Sequence, residues 1–251
     1  MLHYQIYGKG YPIVFLHGFL ESIAMWHPME LEKLPFRSIL IDLPGHGKSL
    51  LNDIEPDLRL YALEVFKVLE KEGITEFGLV GHSMGGYIAL EMAKHDSDIE
   101  KVILLNSCFW QDSPLKQKER ERVLQILEKN KRRYLLEAIP GMFVQPEKHQ
   151  VFIDESIEIA KGMSLASILS ATKAMMNRTN SEGVVDCLAG NLKIIQGEFD
   201  TSIPMKMMLE KTHKKPFDLS ILKDVKHMTH KEATVDVKNL IVEFFKNEIG
   251  M

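Results

Sequence analysis

Ser83 lies in the pentapeptide Gly81-His82-Ser83-Met84-Gly85. The apolar run Phe77–Val80 precedes it and predicts a strand, and the pattern of Met84–His95 predicts a helix. A serine on such a tight strand-to-helix turn has a strained backbone, and small neighbours let the turn close. The start of the helix also directs free N–H groups towards a developing negative charge. The spacing therefore predicts that Ser83 is a nucleophile.

A serine hydroxyl is a weak nucleophile, so it needs a general base that a third group orients. After a nucleophile on this kind of turn, an acid and then a histidine follow along the chain. Asp200 comes shortly after the apolar run Leu192–Gln196, and His227 comes after the run Phe217–Leu222. Because both follow predicted strands, we expect them at the same sheet edge as Ser83, as orienting acid and general base.

Two other residues compete for these roles. His230 stands three residues after His227, at the start of the last predicted helix, where we expect a helix cap or a surface residue. Asp186 lies at the end of a helical segment, where a polar surface residue is expected. We favour His227 and Asp200, and both alternatives remain open at this point.

An acyl-transfer reaction also needs donors for the oxyanion of its transition state. The N–H of Met84, directly after the nucleophile, is the first predicted donor. The second is the N–H of Phe19, in the loop that follows the predicted strand Pro12–Leu16. Gly18 allows this loop to turn.

The surrounding pattern alternates short apolar runs with amphipathic stretches, which is typical of an α/β fold. It predicts a mostly parallel, doubly wound sheet, with His3–Tyr7 as an antiparallel edge strand. The predicted strands are Pro12–Leu16, Ser38–Asp42, Phe77–Val80, Val102–Asn106, Leu192–Gln196 and Phe217–Leu222. The predicted helices are Met25–Lys33, Asp57–Glu72, Met84–His95, Pro204–His213 and Lys231–Lys246.

One segment interrupts this alternation. Residues 108–186 contain no convincing strand, and they predict three helices, over Gln117–Ala138, His149–Lys161 and Leu165–Met176. We therefore expect a helical cap at residues 108–186, inserted into a core formed by residues 1–107 and 187–251. The cap would cover the carboxyl edge of the sheet, where α/β proteins bind their ligands.

Composition limits the class of protein and its partners. The chain has 251 residues, a formal net charge of −4 and 26% charged residues, all consistent with one α/β domain. Its charges are scattered, so we expect a small-molecule partner and neither nucleic acid nor an anionic membrane. The basic run Lys129–Arg133 is interpreted as a solvated helix end. Without a spanning apolar stretch or a signal-peptide pattern, we expect no membrane insertion and a cytoplasmic location.

Cysteine and histidine usage gives no sign of a metal. The two cysteines, Cys108 and Cys187, are too few for a disulfide framework. Together with the histidines they show no metal-ligand spacing, so we predict no metal and no cofactor. The sequence does not indicate the oligomeric state.

Four landmarks, in this order, resemble the α/β-hydrolase superfamily. They are His17-Gly18-Phe19, Asp42–Ser49, Gly81–Gly86, and Gly197–Asp200 followed by His227 and Glu232. The resemblance covers nearly the whole chain and implies this fold, a Ser-Asp-His catalytic triad and an oxyanion hole, with a structural role for Asp42–Ser49. One departure is Lys226, which precedes His227 where relatives commonly carry glycine.

Serine at the turn argues against relatives with aspartate there, such as epoxide hydrolases and haloalkane dehalogenases, and against dienelactone hydrolases, which carry cysteine. The resemblance instead implies a serine esterase that transfers the acyl group of a small to medium ester to water. Two alternatives remain. One is a lyase or carbon–carbon bond hydrolase that uses the same triad as a base on a carboxylated metabolite. The other is a non-catalytic receptor for a small ligand.

We expect substrate selection to lie in an apolar pocket beneath the cap. The predicted lining residues are Trp26, Phe109, Trp110, Met142, Phe143, Met175 and Met176. As a group they favour an apolar acyl ester over a charged polymer. Arg178 has the chemistry to bind a substrate carboxylate, but we expect it at the surface.

Overall fold

The computed structural model describes residues 1–51, 55–96, 99 and 101–250. In these ranges, seven strands form one sheet in the order β1-β3-β2-β4-β5-β6-β7, with β1 antiparallel and the others parallel. The strands are β1 (Tyr4–Tyr7), β2 (Pro12–Leu16), β3 (Arg37–Ile41), β4 (Gly78–His82), β5 (Val102–Leu105), β6 (Leu192–Gly197) and β7 (Asp218–Leu222). The predicted fold class is confirmed.

Helices flank both faces of this sheet. They are α1 (Leu58–Lys71), α2 (Met84–His95), α3 (Pro114–Ala138), α4 (Gln150–Gly162), α5 (Leu165–Met176), α6 (Glu182–Leu188), α7 (Met205–Thr212), α8 (Thr229–Glu232) and α9 (Thr234–Phe244). Val14 and Leu16 pack in the same apolar cluster as α1 and α2, whereas Ile13 and Phe15 pack in the cluster that includes α9. This alternation follows from the two-residue period of a strand that is buried on both faces.

The helix predicted over Met25–Lys33 is wrong in type. Residues 23–33 instead form two 3-10 helices, Ile23–Met29 and Leu31–Lys33. Pro28 lacks the N–H that an α-helix needs, and Glu30 adopts a left-handed backbone with φ 49°. Both features prevent a continuous α-helix.

Two other helices are interrupted. The helix predicted over Lys231–Lys246 is divided at Ala233 into α8 and α9. The long charged helix of the cap is kinked at Asn130, where φ is −159° and ψ is 79°. Oδ1 of Asn130 accepts a hydrogen bond from the N–H of Arg133 at 2.9 Å, as in an N-cap.

Helices α3–α6 lie between β5 and β6. Residues 106–191, all of which the structure describes, contain no strand. Leu127, Phe143 and Ile153 from this segment pack in one apolar cluster with Leu20 and Met228, which belong to loops at the carboxyl edge of the sheet. These helices therefore cover the edge at which Ser83 lies. The division of the chain at residues 108 and 186 stays a prediction.

None of the helices in the described part of the chain is both long enough and apolar enough to cross a membrane.

Helix α2 packs very close to the sheet. A Cβ atom on Gly85 would overlap the backbone carbonyl of Leu16 in β2, and one on Gly86 would overlap the side chain of Ser107. Neither neighbour is the far end of a flexible side chain. The glycines therefore set how close the helix comes to the strands.

We expect Gly85→Ala to destabilise the protein by about 1–3 kcal/mol, because the added methyl group forces backbone apart in a close-packed core. The matched control is Gly183→Ala in α6, where a Cβ atom meets nothing within 4 Å. There, alanine should be neutral or stabilising by up to about 1 kcal/mol. Urea unfolding followed by circular dichroism measures both, and equal stability of the two variants would contradict this account.

Candidate active site

Ser83 is the single residue between β4 and α2. Its backbone has φ 49° and ψ −112°, a conformation that favours glycine. Its N–H donates to the carbonyl of Leu105 at 2.9 Å, and the hydroxyl of Ser107 donates to its carbonyl at 2.7 Å. These bonds hold the strained turn in place.

The structure brings Ser83, His227 and Asp200 together. The hydroxyl of Ser83 donates to Nε2 of His227 at 3.0 Å, and Nδ1–H of His227 donates to Oδ2 of Asp200 at 2.8 Å. His227 and Asp200 are buried, 5% and 3% exposed. The chain of hydrogen bonds allows His227 to take the proton of Ser83 while Asp200 fixes the orientation of the ring.

Asp200 is held by more donors than His227 alone. They are Nδ2 of Asn106 at 2.9 Å, Nε2 of Gln196 at 3.0 Å, and the N–H groups of Ser202 at 2.8 Å and Ile203 at 3.1 Å. Burial raises the pKa of Asp200, but the charge of His227 and these hydrogen bonds outweigh burial and hold the pKa below its usual value. The carboxyl group is therefore ionised at neutral pH. The sequence analysis missed Asn106 and Gln196, whose only signal is a polar residue in or just after a buried strand.

The alternative residues lie elsewhere. Asp186 is exposed and forms an ion pair with Lys215 at 2.7 Å. His230 is completely buried, so the expectation of a helix cap or surface residue is wrong. Burial lowers its pKa well below the usual value, and its Nε2 lies 3.4 Å from Oε1 of Glu21. The His230 ring packs against the rings of Trp26 and His82, with centroids 6.0 and 4.6 Å away, and neither of its nitrogens has a hydrogen-bond partner among the described residues.

The predicted oxyanion donors are the N–H groups of Phe19 and Met84. Phe19 lines the cleft, and Met84 is the first residue of α2. Within the ranges that the structure describes, neither N–H donates to a protein acceptor. Their role as donors to a bound oxyanion stays a prediction. The neighbouring Gly18 N–H instead donates to Glu21 at 2.8 Å.

A buried pair, Glu21 and His82, links three loops around the site. Oε2 of Glu21 accepts from Gly18 at 2.8 Å and from Nδ1 of His82 at 2.8 Å. Nε2 of His82 donates to the carbonyl of His227 at 3.0 Å. The pair therefore joins the Phe19 loop, the Ser83 turn and the His227 loop. The sequence analysis missed it, because the two residues are 61 positions apart.

Both nitrogens of His82 face acceptors, so the ring needs a proton on each and is an imidazolium. Burial lowers the pKa of His82, but the charge and hydrogen bond of Glu21 outweigh burial and raise it. Burial also raises the pKa of Glu21, yet His82, with His230 and His17, holds it well below the usual value. The site therefore contains a buried ion pair directly beside Ser83.

Glu21, His82 and His230 have residue types that bind metals, and one ligand atom of each lies within 4.8 Å of the others. However, Nδ1 of His82 is bonded to Glu21 and its Nε2 to the carbonyl of His227. His82 therefore has no free lone pair for a metal, and the contacts assign this cluster a structural role.

Two adjacent cavities are lined in part by residues of the helical segment between β5 and β6. The inner chamber, about 190 Å³, is lined by Ser83 and His227 and by two of the predicted pocket residues, Met142 and Met175. The outer chamber, about 470 Å³, is lined in part by Trp110. Residues shared by both chambers are Tyr87, Lys116, Glu119, Arg120, Ser202 and Ile203.

Four predicted pocket residues line neither chamber. Trp26 packs edge-on against Phe15, with ring centroids 5.3 Å apart, in the cluster that includes α9. Phe109 is buried in the cluster of α1 and α2, and Phe143 is buried within the cap. Met176 also lies outside the lining. These side chains are apolar enough for either environment, so their type does not distinguish core from pocket.

Arg178 is not a surface residue, contrary to the sequence-based expectation. Its side chain is 5% exposed and pairs with Asp112 at 2.7 Å, and it lines the outer chamber. The carboxylate of Asp112 allows the guanidinium to be buried. Both cysteines are free thiols, with Cys108 buried and Cys187 exposed.

Comparison with known proteins agrees with this architecture. A family model described as alpha/beta hydrolase fold matches residues 11–150, more than half of the chain. A soluble epoxide hydrolase from Corynebacterium sp. (strain C12) is 33% identical over 109 residues, 42% of this chain and 37% of that protein. Pimeloyl-[acyl-carrier protein] methyl ester esterase from Vibrio vulnificus (strain CMCP6) is 34% identical over 108 residues, 42% of this chain and 40% of that protein. The matches thus span less than half of these relatives' lengths.

Among solved structures, a thermophilic esterase from Thermogutta terrifontis (malate bound) is similar over 98% of this chain and 93% of its own. The TM-score is 0.89 at 24% sequence identity. At this identity, the similarity shows the shared fold.

We expect Glu21→Gln to destabilise the protein by about 2 kcal/mol, because His82 loses a charged hydrogen-bond partner. The raised pKa of His82 adds stability below about pH 6.5, which is lost as the pH rises through its value in the folded protein. The lowered pKa of Glu21 adds stability above about pH 4.5. The stability difference between wild type and variant should therefore be largest between these pH values and shrink at higher pH.

Urea unfolding at pH 5.5, 7, 8.5 and 9.5 measures this difference, with Glu158→Gln as the control. Glu158 forms an exposed pair with Lys161 on α4, so its loss should cost less than about 1 kcal/mol. A difference for Glu21→Gln that does not change with pH would show that the pair is not charged.

Proposed function

The chain belongs to the α/β-hydrolase fold family, and we propose that it is a serine hydrolase that cleaves small to medium carboxylic esters through an acyl-Ser83 intermediate. One observation carries the proposal. Hydrogen bonds of 3.0 and 2.8 Å connect Ser83 Oγ to His227 and His227 to an ionised Asp200. This arrangement supplies the base that a serine nucleophile needs.

In the acylation step, Oγ of Ser83 bonds to the ester carbonyl carbon while its proton moves to Nε2 of His227. The carbonyl π electrons move onto the oxygen, which the N–H groups of Phe19 and Met84 stabilise. As the carbonyl re-forms, the carbon–oxygen bond to the alcohol breaks and His227 gives its proton to the leaving oxygen. The products are the alcohol and acyl-Ser83.

In the deacylation step, His227 takes a proton from water as the water oxygen bonds to the acyl carbon. The bond to Oγ of Ser83 then breaks, and the proton returns to this oxygen. Asp200 remains a carboxylate throughout and stabilises the imidazolium that forms in each step.

The inner chamber supports the assignment to small or medium esters. Its volume is about 190 Å³. Its apolar and aromatic lining consists of Phe19, Val123, Tyr134, Met142, Met175, Ile203 and Met228. This apolar part of the wall suits a short apolar chain next to the scissile bond, whereas the charged Lys116, Glu119 and Arg120 lie where the chamber borders the outer one.

We expect Ser83→Ala to lower kcat for p-nitrophenyl butyrate by roughly 10⁵-fold, because the variant has no nucleophile. Wild type should release a rapid burst of p-nitrophenol, stoichiometric with enzyme, before the steady state. Ser220→Ala, on β7 and outside both chambers, is the matched control and should retain wild-type rates.

The same experiment separates the proposal from its alternatives. Stopped-flow absorbance measures the burst, and intact-protein mass spectrometry detects the mass of the acyl adduct on Ser83. A triad that acts only as a base forms no adduct. A receptor shows no turnover of p-nitrophenyl esters from acetate to octanoate, and that outcome would overturn the esterase assignment.

A further inference from the structure

The outer chamber lies directly beside the inner chamber, and the two share part of their walls. Tyr87, Arg120 and Ile203 border both cavities. An ester whose carbonyl lies at Ser83 is therefore next to a second space of about 470 Å³. The charged side chains that line this space determine which chemical group the remote part of the substrate can carry.

Two buried guanidinium groups share one carboxylate in the wall of the outer chamber. Nε of Arg120 lies 2.5 Å from Oδ2 of Asp112, and Nη1 of Arg178 lies 2.7 Å from Oδ1. The three side chains are 15%, 5% and 2% exposed in the order Arg120, Arg178, Asp112. Two positive charges and one negative charge leave one uncompensated cation in a poorly solvated place.

The other charged groups of the outer chamber do not neutralise this cation. Lys116 and Glu119 form a pair of their own at 3.1 Å. Lys211 also lines the chamber and adds a positive charge. The chamber is thus net positive, although the whole protein has a formal net charge of −4.

The two arginines use their donors differently. Arg178 is fixed by the carbonyls of Met175 at 2.8 Å and Trp110 at 3.2 Å, and its Nε lacks a partner among the described residues. Nε of Arg120 donates to Asp112. Its Nη1 contacts only the sulfur of Met175, a weak acceptor, at 3.6 Å. Its Nη2 donates to no atom of the described chain. Arg120 therefore keeps the donors for a further anion, beside both chambers.

We propose that the outer chamber is a carboxylate-binding subsite in which Arg120 is the principal ligand-binding residue. The preferred substrate is then an ester that also carries a carboxylate, with its apolar carbon chain in the inner chamber and the carboxylate at Arg120. This inference rests on the proposed esterase function and narrows its substrate class. A guanidinium suits the role because it binds a carboxylate through two parallel hydrogen bonds.

The test compares monomethyl esters of linear dicarboxylic acids, from malonic to suberic acid, with methyl esters of monocarboxylic acids of equal carbon number. Wild type should favour the half-esters in kcat/KM, with a maximum at one chain length. Arg120→Gln should lower the ratio of kcat/KM for half-ester over neutral ester by about tenfold or more, the value of a charged hydrogen bond. Asp112 keeps Arg178 as a partner in this variant.

Arg122→Gln is the matched control, because it makes the same change two residues away on an exposed part of α3. It should leave the ratio unchanged. If Arg120→Gln does not fold, as judged by circular dichroism, Arg120→Lys replaces it. Lysine retains the charge without the planar pair of donors, so the ratio should fall by about threefold or more. An unchanged ratio in the folded variant would overturn the subsite.

Binding separates this inference from the proposed function. Calorimetry with Ser83→Ala measures the affinity for monomethyl adipate and for methyl hexanoate without hydrolysis. Tighter binding of the half-ester that is lost in Ser83→Ala/Arg120→Gln supports the subsite even if wild type hydrolyses no ester. Hydrolysis of both esters with equal kcat/KM, and equal affinity of Ser83→Ala for both, would retain the esterase and reject the subsite.

Discussion

The strained backbone of Ser83 is the constraint on which the rest of the site depends. A positive φ at a non-glycine residue costs on the order of 1–3 kcal/mol and persists only where its surroundings fix it. Here the fixing groups are the carbonyl of Leu105, the hydroxyl of Ser107 and the close packing of Gly85 on β2. Because α2 must pack this closely, β2 and the Phe19 loop come beside the turn. The Phe19 loop, Met84 and the hydroxyl of Ser83 are thus positioned by one requirement.

The buried ion pair of Glu21 and His82 connects the Ser83 turn to the His227 loop as well. His82 is the neighbour of Ser83 in the chain, and its ring contacts the carbonyl of His227 and the carboxylate of Glu21. Each of these bonds crosses from one loop to another. Since a charged hydrogen bond in a low-dielectric interior is strong and directional, the pair restrains relative movement of the three loops. That restraint preserves the distance of 3.0 Å between Ser83 and His227.

The sequence predicts best what depends on local pattern. The parallel sheet follows from apolar runs, and the proximity of Ser83, Asp200 and His227 follows because each comes after a strand of that sheet. Contacts between remote segments are not encoded locally. Glu21 and His82 therefore escaped prediction, and His230 was misplaced because an isolated histidine gives no sign that a carboxylate covers it. Trp26 was misassigned because core and pocket select the same side chains.

The helical segment between β5 and β6 is connected to the His227 loop by one backbone hydrogen bond and by the side-chain carboxylate of Glu232. The N–H of His227 donates to the carbonyl of Met142 at 3.1 Å, and Glu232 accepts from the N–H groups of Val144 at 2.7 Å and Lys226 at 2.9 Å. The end of the cap that contains Met142 and Val144 is therefore held against the His227 loop. Arg120 lies near the start of α3, at the other end of the same cap, and contacts Asp112. The segment that lines both chambers thus also positions His227, so a substitution that reshapes the chambers near Met142 must preserve the hydrogen bond between its carbonyl and the N–H of His227.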